Sequence, residues 1–124
     1  MVKVYRASDA KEIARAGYSA KYVADIRFRK KIDDGGFIMV NIPAGTKTSP
    51  HIHKKLEEVF VALSSLEMHV DEIHIQLGVG DIVIAEPGES HSFSAYPLSE
   101  AKLLAIKFPN LKDDKIIPSE PSTY

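Results

Sequence analysis

The chain is a succession of short apolar runs broken by turn formers, and this rhythm constrains its fold more than any other feature. From Tyr18 onward come YVADIRFRK, DDGG, FIMVNI and PAGTKTSP, followed by EVFVAL, LEMHV, IHIQL, DIVIAE, HSFSAY and KLLAIKF. Gly78, Gly80, Pro87, Gly88 and Pro97 punctuate the later runs. Runs this short, rich in Val, Ile, Phe and Tyr, suit strands and are too brief for independent helices. The expected class is therefore all-β, a sandwich or barrel of many short strands. Asp33 to Gly36 reads as a hairpin connection. Helical signal is confined to Ser8 to Ala16, SDAKEIARA, where Asp9 precedes Glu12 as in a capping box and Gly17 is placed to end a helix. A short N-terminal helix is expected there.

At 124 residues the chain suits one domain, 1–124, with a barrel core of about 22–108. Residues 109–124, PNLKDDKIIPSEPSTY, offer little to pack except Leu111, Ile116 and Ile117 and read as a C-terminal arm. Sixteen Lys and Arg against 17 Asp and Glu leave no positive excess to neutralise phosphates, so nucleic acid is not an expected partner. No run approaches the roughly 18–20 apolar residues of a membrane span, and the N-terminus lacks the apolar stretch of a signal peptide. A cytoplasmic protein with no membrane partner is expected. Cysteine is absent, so metal chemistry must use nitrogen and oxygen ligands.

Two of the five histidines stand one residue apart in SPHIHKKLEEVF. In a strand, His51 and His53 share a face about 6–7 Å apart along the backbone, close enough for both imidazoles to reach one ion. Such a centre also needs a carboxylate and a further nitrogen ligand. Parity selects Glu57 if the strand runs straight, but Lys54 and Lys55 have the look of a bend, after which either Glu57 or Glu58 is open. In LEMHVDEIHIQL, a hairpin about Asp71 and Glu72 places His69 opposite His74 on the polar face, outside any buried ligand set. Asp-Glu is a poor two-residue turn, since both positions would need positive φ.

The stretch from Gly45 through His51, His53 and Glu58 resembles the first motif of the cupins, in which a glycine is followed by HxH and then by a glutamate. GDIVIAEPGESH is similar to the second cupin motif, with Gly80, Gly88 and His91 in the matching places. Glu86 stands where that motif usually has proline, Ala95 where it usually has asparagine, and Ser64 and Ser65 where the first motif commonly ends in glycine. None of these departures removes a ligand.

The resemblance spans about residues 36–108. It implies a double-stranded β-helix, the cupin or jelly-roll barrel, with His51, His53, Glu58 and His91 holding one divalent ion at one mouth. Three imidazoles and a carboxylate suit Fe, Mn, Ni or Zn and leave positions open for a small-molecule ligand. Phe60 shares the Glu58 face and is a candidate apolar wall of the substrate pocket; Glu86 is a candidate acid or base at its rim. The implied function is a metal-dependent enzyme on a small polar metabolite, of dioxygenase, isomerase or decarboxylase type. A non-catalytic small-ligand-binding module is the alternative, since a fold does not fix a function. The family also implies a homodimer, with Tyr22 to Arg29, Leu111, Ile116 and Ile117 as candidate contact surfaces.

Overall fold

The computed structural model describes residues 1–111 and 114–116. Its strands are β1 Lys3–Tyr5, β2 Glu12–Arg15, β3 Tyr18–Lys21, β4 Gly36–Ile42, β5 Ile52–His53 and β6 Glu57–Ala62. They continue with β7 Leu66–Val70, β8 Ile73–Leu77, β9 Ile82–Ala85, β10 His91–Ser94, β11 Ala101–Phe108 and β12 Lys115–Ile116. One sheet has the order β1-β9-β6-β11-β4 and a second the order β10-β7-β8. Isolated bridges Lys47↔Ser94 and His51↔His91 bring the segment before β5 onto the free edge of β10, and β12 pairs with β5.

The two sheets face each other as a double-stranded β-helix because their inward residues alternate with polar ones. Leu66, Met68 and Val70 are wholly buried, while Glu67 and His69 between them look outward. Across the core stand Phe60, Ala62, Val83, Ala85, Leu103 and Ala105 of the five-stranded sheet. The β7–β8 hairpin has the expected register, His69↔His74, with Asp71 and Glu72 as the turn. Only Asp71 takes a positive φ, 51°, which aspartate tolerates better than most residues. Its N–H donates to the Ser90 carbonyl at 2.7 Å, and its Oδ1 accepts from the Ser90 N–H at 3.0 Å.

The expected helix over Ser8 to Ala16 is not formed. A single 3-10 turn covers Ala7–Asp9, and the chain then enters the β2–β3 hairpin. Gly17, with φ 82°, serves the turn of that hairpin; a glycine that ends a helix and one that reverses a hairpin carry the same positive-φ signal. Ile13 is the only large apolar residue between Ser8 and Ala16, too little for a helix to bury a face.

Tyr22 to Arg29 is likewise not a strand, and Asp33 to Gly36 is not a hairpin connection. Val23, Ile26 and Phe28 do not keep a period of two, so no single face of a strand would be apolar. The segment instead runs as irregular chain, with Phe28 against Phe108 at 4.6 Å between ring centres. Gly35 passes so close to Phe108 that an added Cβ would lie 2.9 Å from its ring.

Of the expected arm, Ile117 lies outside the described residues. Lys115 and Ile116 do not hang free but pair with His53 and Ile52 as β12 on β5. Asp114 holds the Lys54–Lys55 bend: its Oδ2 accepts from the N–H of Lys55 at 2.7 Å and of Leu56 at 3.0 Å. Burial would raise the Asp114 pKa, but these backbone donors outweigh it and hold it below its ordinary 3.8. Asp114→Ala leaves two N–H groups without an acceptor and is expected to cost about 2 kcal/mol, read as a lower urea midpoint at unchanged m-value. An unchanged midpoint would show that the tail does not hold the bend.

Candidate metal centre

The site begins with backbone pairing. The N–H of His51 donates to the carbonyl of His91 at 3.1 Å, and that of His91 returns to His51 at 3.0 Å. This places the two side chains next to each other on one face. The turn after Pro87 is tied in by the Gly88 N–H, which donates to the His53 carbonyl at 2.8 Å.

The bend at Lys54 and Lys55 then resets strand parity, so that Glu58 and Phe60 of β6 face inward. Glu57 points to the other side, where its carboxylate accepts from the Arg29 N–H at 2.7 Å. The choice between the two glutamates is thus made by the bend.

One donor atom from each of His51, His53, Glu58 and His91 lies within 4.8 Å of all the others. Nε2 of His53 is 2.9 Å and Nε2 of His91 3.3 Å from Oε1 of Glu58. An octahedral ion with bonds of about 2.1 Å separates adjacent ligands by about 3.0 Å, so these spacings fit a shared ion. They do not serve as aligned hydrogen bonds. Both ring nitrogens of His53 and His91 and Oε1 of Glu58 are buried without a hydrogen-bond partner among the described residues. Unsatisfied groups at such density are unusual in a protein interior, and a cation at their common point would satisfy the inward-facing ones. Nδ1 of His51 lies 3.3 Å from the Ser49 carbonyl, an oxygen that only accepts, so this nitrogen is the donor and Nε2 keeps its lone pair.

Charge agrees with this arrangement. Burial, and after it His91, Lys115 and His53, push His51 from 6.5 down to about 4, leaving it neutral at pH 7. Burial would raise Glu58, but the imidazoles of His53 and His91 outweigh it and bring it from 4.5 down to about 2. Neutral imidazole and ionised carboxylate are the forms that bind a metal.

The donors lie beside a cavity of about 230 Å³ lined by His51, His53, Glu58, Phe60, Thr48 and Lys107, with Ile38, Val40, Phe93, Ala105 and Lys115 completing it. That is smaller than the roughly 300–1,000 Å³ of pockets for drug-sized ligands. Phe60 lines this cavity, its ring 5.2 Å from that of His91. Glu86 is not in the lining: its carboxylate meets the amino terminus of Met1. Sequence reasoning missed Lys107 and Lys115. The signal was available for Lys107, which keeps inward parity with Leu103 and Ala105 and pairs with Glu58.

A family model described as the cupin domain matches residues 38–107, more than half of the chain. The chain belongs to the cupin family. This cupin is similar in structure to a cupin protein from Bacteroides fragilis, at 24% identity and TM-score 0.59, covering 74% of this chain and 75% of that one. It also resembles the DMSP lyase DddQ from Ruegeria pomeroyi DSS-3, at 24% identity and TM-score 0.61, over 68% of this chain and 43% of the lyase. A salicylate 1,2-dioxygenase from Pseudaminobacter salicylatoxidans aligns at 16% identity and TM-score 0.56, over 60% of this cupin and 21% of the dioxygenase. A comparison with curated protein sequences finds no match. Among the described residues, no helix is long and apolar enough to cross a membrane.

Replacing His51, His53, His91 or Glu58 by alanine is expected to weaken metal binding at this centre by more than about a hundredfold, read by calorimetric titration and elemental analysis. Glu57→Ala, which removes the acceptor of the Arg29 N–H, should destabilise the fold yet leave metal binding at this centre unchanged. Equal metal loss from Glu57→Ala and Glu58→Ala would count against the centre.

The metal-free protein should also lose stability as pH falls. The folded pKa of His51 lies below the ordinary 6.5, so from 6.5 towards 4 the unfolded chain takes up a proton that the folded chain refuses. Glu58 acts in the same direction from 4.5 towards 2. Urea midpoints of the metal-free wild type should fall across the upper window, and those of His51→Gln should fall less. Identical slopes for the two would contradict the assignment.

Proposed function

We propose that this cupin is a metal-dependent enzyme acting on a small anionic metabolite, such as a carboxylate, with chemistry of dioxygenase, isomerase or decarboxylase type. The observation that carries this reading is the pairing of a three-histidine, one-glutamate cluster, buried except for the half-buried His51, with two cavity lysines. Lys107 stands opposite Glu58 on the neighbouring strand, and Lys115 stands opposite His53. Neither forms an ion pair among the described residues. His51, His53, His91 and Glu58 would hold a divalent ion of the Fe, Mn, Ni or Zn class. When bound, such an ion supplies Lewis acidity and a place for substrate oxygens to bind.

The other roles belong to the chain itself. Lys107 and Lys115 attract and orient the anionic end of the substrate, and the Thr48 hydroxyl adds a hydrogen-bonding group to the lining. Phe60, Phe93, Ile38 and Val40 make the remaining wall apolar, which excludes water and strengthens each charge contact. Glu58 stays ionised throughout and holds no proton to give.

The test is metal-loaded protein against a set of small carboxylates and neutral analogues of the same size, followed by ligand-induced melting shift, oxygen uptake and product analysis. Carboxylates should bind and be turned over, and Lys107→Ala should weaken their binding about tenfold or more while metal content stays constant. Preference for the neutral analogues would overturn the anionic substrate. Tight carboxylate binding with no turnover under any metal would replace the enzyme by a ligand-binding module.

A further inference from the structure

We propose a second metal site on the outer face of the β10-β7-β8 sheet, built from Glu67, His69 and His74 and taking Zn2+ or an ion of the same class. It is separate from the inner centre, because the side chains of β7 alternate: Met68 and Val70 point into the barrel, Glu67 and His69 away from it. The ladder sets the site. Glu67 and His69 are two residues apart on β7, and His74 of β8 stands directly opposite His69. The rings of His69 and His74 are 4.3 Å apart in an edge-to-face arrangement.

One oxygen gathers the two nitrogens. Oε1 of Glu67 lies 3.0 Å from Nδ1 of His74 and 3.5 Å from Nε2 of His69. A tetrahedral ion with bonds of about 2.0–2.1 Å separates its ligands by about 3.4 Å, and the two spacings bracket that edge. Nε2 of His69 is hydrogen-bonded to the Ser94 hydroxyl of the adjoining strand at 3.1 Å, a contact that an ion would replace.

A simple ion pair would need only Glu67 and one imidazole; here a second imidazole is held at the same carboxylate oxygen by strand pairing. The three donors open into a concavity lined by Gly45, Lys47, Ser94 and Tyr96 as well, leaving room for water as a fourth ligand. Two imidazoles and one carboxylate favour a borderline ion such as Zn2+ over Ca2+ or Mg2+, which prefer all-oxygen shells.

Metal-stripped protein titrated with micromolar ZnCl2 tests the site, with bound equivalents counted by calorimetry and elemental analysis for wild type, His74→Ala and Glu67→Gln. The His74 side chain is 66% exposed, so its removal leaves the fold intact, and Glu67→Gln keeps the shape of the side chain it replaces. Each variant should bind one equivalent of zinc fewer than wild type, or bind that equivalent more than about tenfold more weakly. This difference does not depend on the inner centre: if that centre takes no zinc, the wild-type total is one lower and the loss is the same. Zinc binding in either variant that matches wild type in number and affinity overturns the site.

Discussion

The paired backbones of His51 and His91 are the contact on which the rest of the candidate centre depends. Each residue gives its N–H to the other's carbonyl, so the two imidazoles are brought together by the main chain before any side-chain preference acts. The same exchange closes the segment before β5 onto the edge of β10. Site assembly therefore uses the same antiparallel contact that, together with the Lys47↔Ser94 bridge, closes the barrel. Because His53 lies two residues along on the same face, and Gly88 caps its carbonyl, the bridge also determines where the third imidazole stands.

This arrangement costs the barrel stability. Buried polar groups without partners are each worth about 1–3 kcal/mol of penalty, and His53, Glu58 and His91 leave several such atoms at one point. An apolar filling of the same volume would give a more stable protein. Retaining the polar set is the pattern of a functional site, where local optimisation of packing gives way to chemistry. The adjoining interior of Phe60, Phe93 and Met68 is packed as an ordinary core, so the departure is confined to the mouth.

Much of the architecture was legible because strands declare themselves through a period of two, as in LEMHV and IHIQL, and turns through Gly and Pro. The inner donor set was legible for a related reason: HxH places two side chains on one face, and the second motif supplies His91 at a fixed distance from a turn. Glu58 was not derivable from parity, because the deciding element, the bend held by Asp114, depends on a tail residue more than fifty positions away.

Gly17 misled because helix ends and hairpin turns make the same demand on φ. Lys115 escaped notice because a two-residue strand leaves no periodic trace. Glu67 escaped because its direct partner across the hairpin is Gln76, and it meets His74 only as a diagonal neighbour.

The bridge between His51 and His91 also has a kinetic consequence. His51, His53 and Glu58 are near one another in the chain, but His91 joins them only through a contact spanning forty residues. Contacts of such separation form late, since the loop they close must first lose its entropy. A nascent or partly unfolded chain thus presents at most an incomplete ligand set. An ion that needs all four groups would act mainly as a brake on unfolding, holding the closed barrel by mass action, and would do little to hasten the path by which the barrel closes.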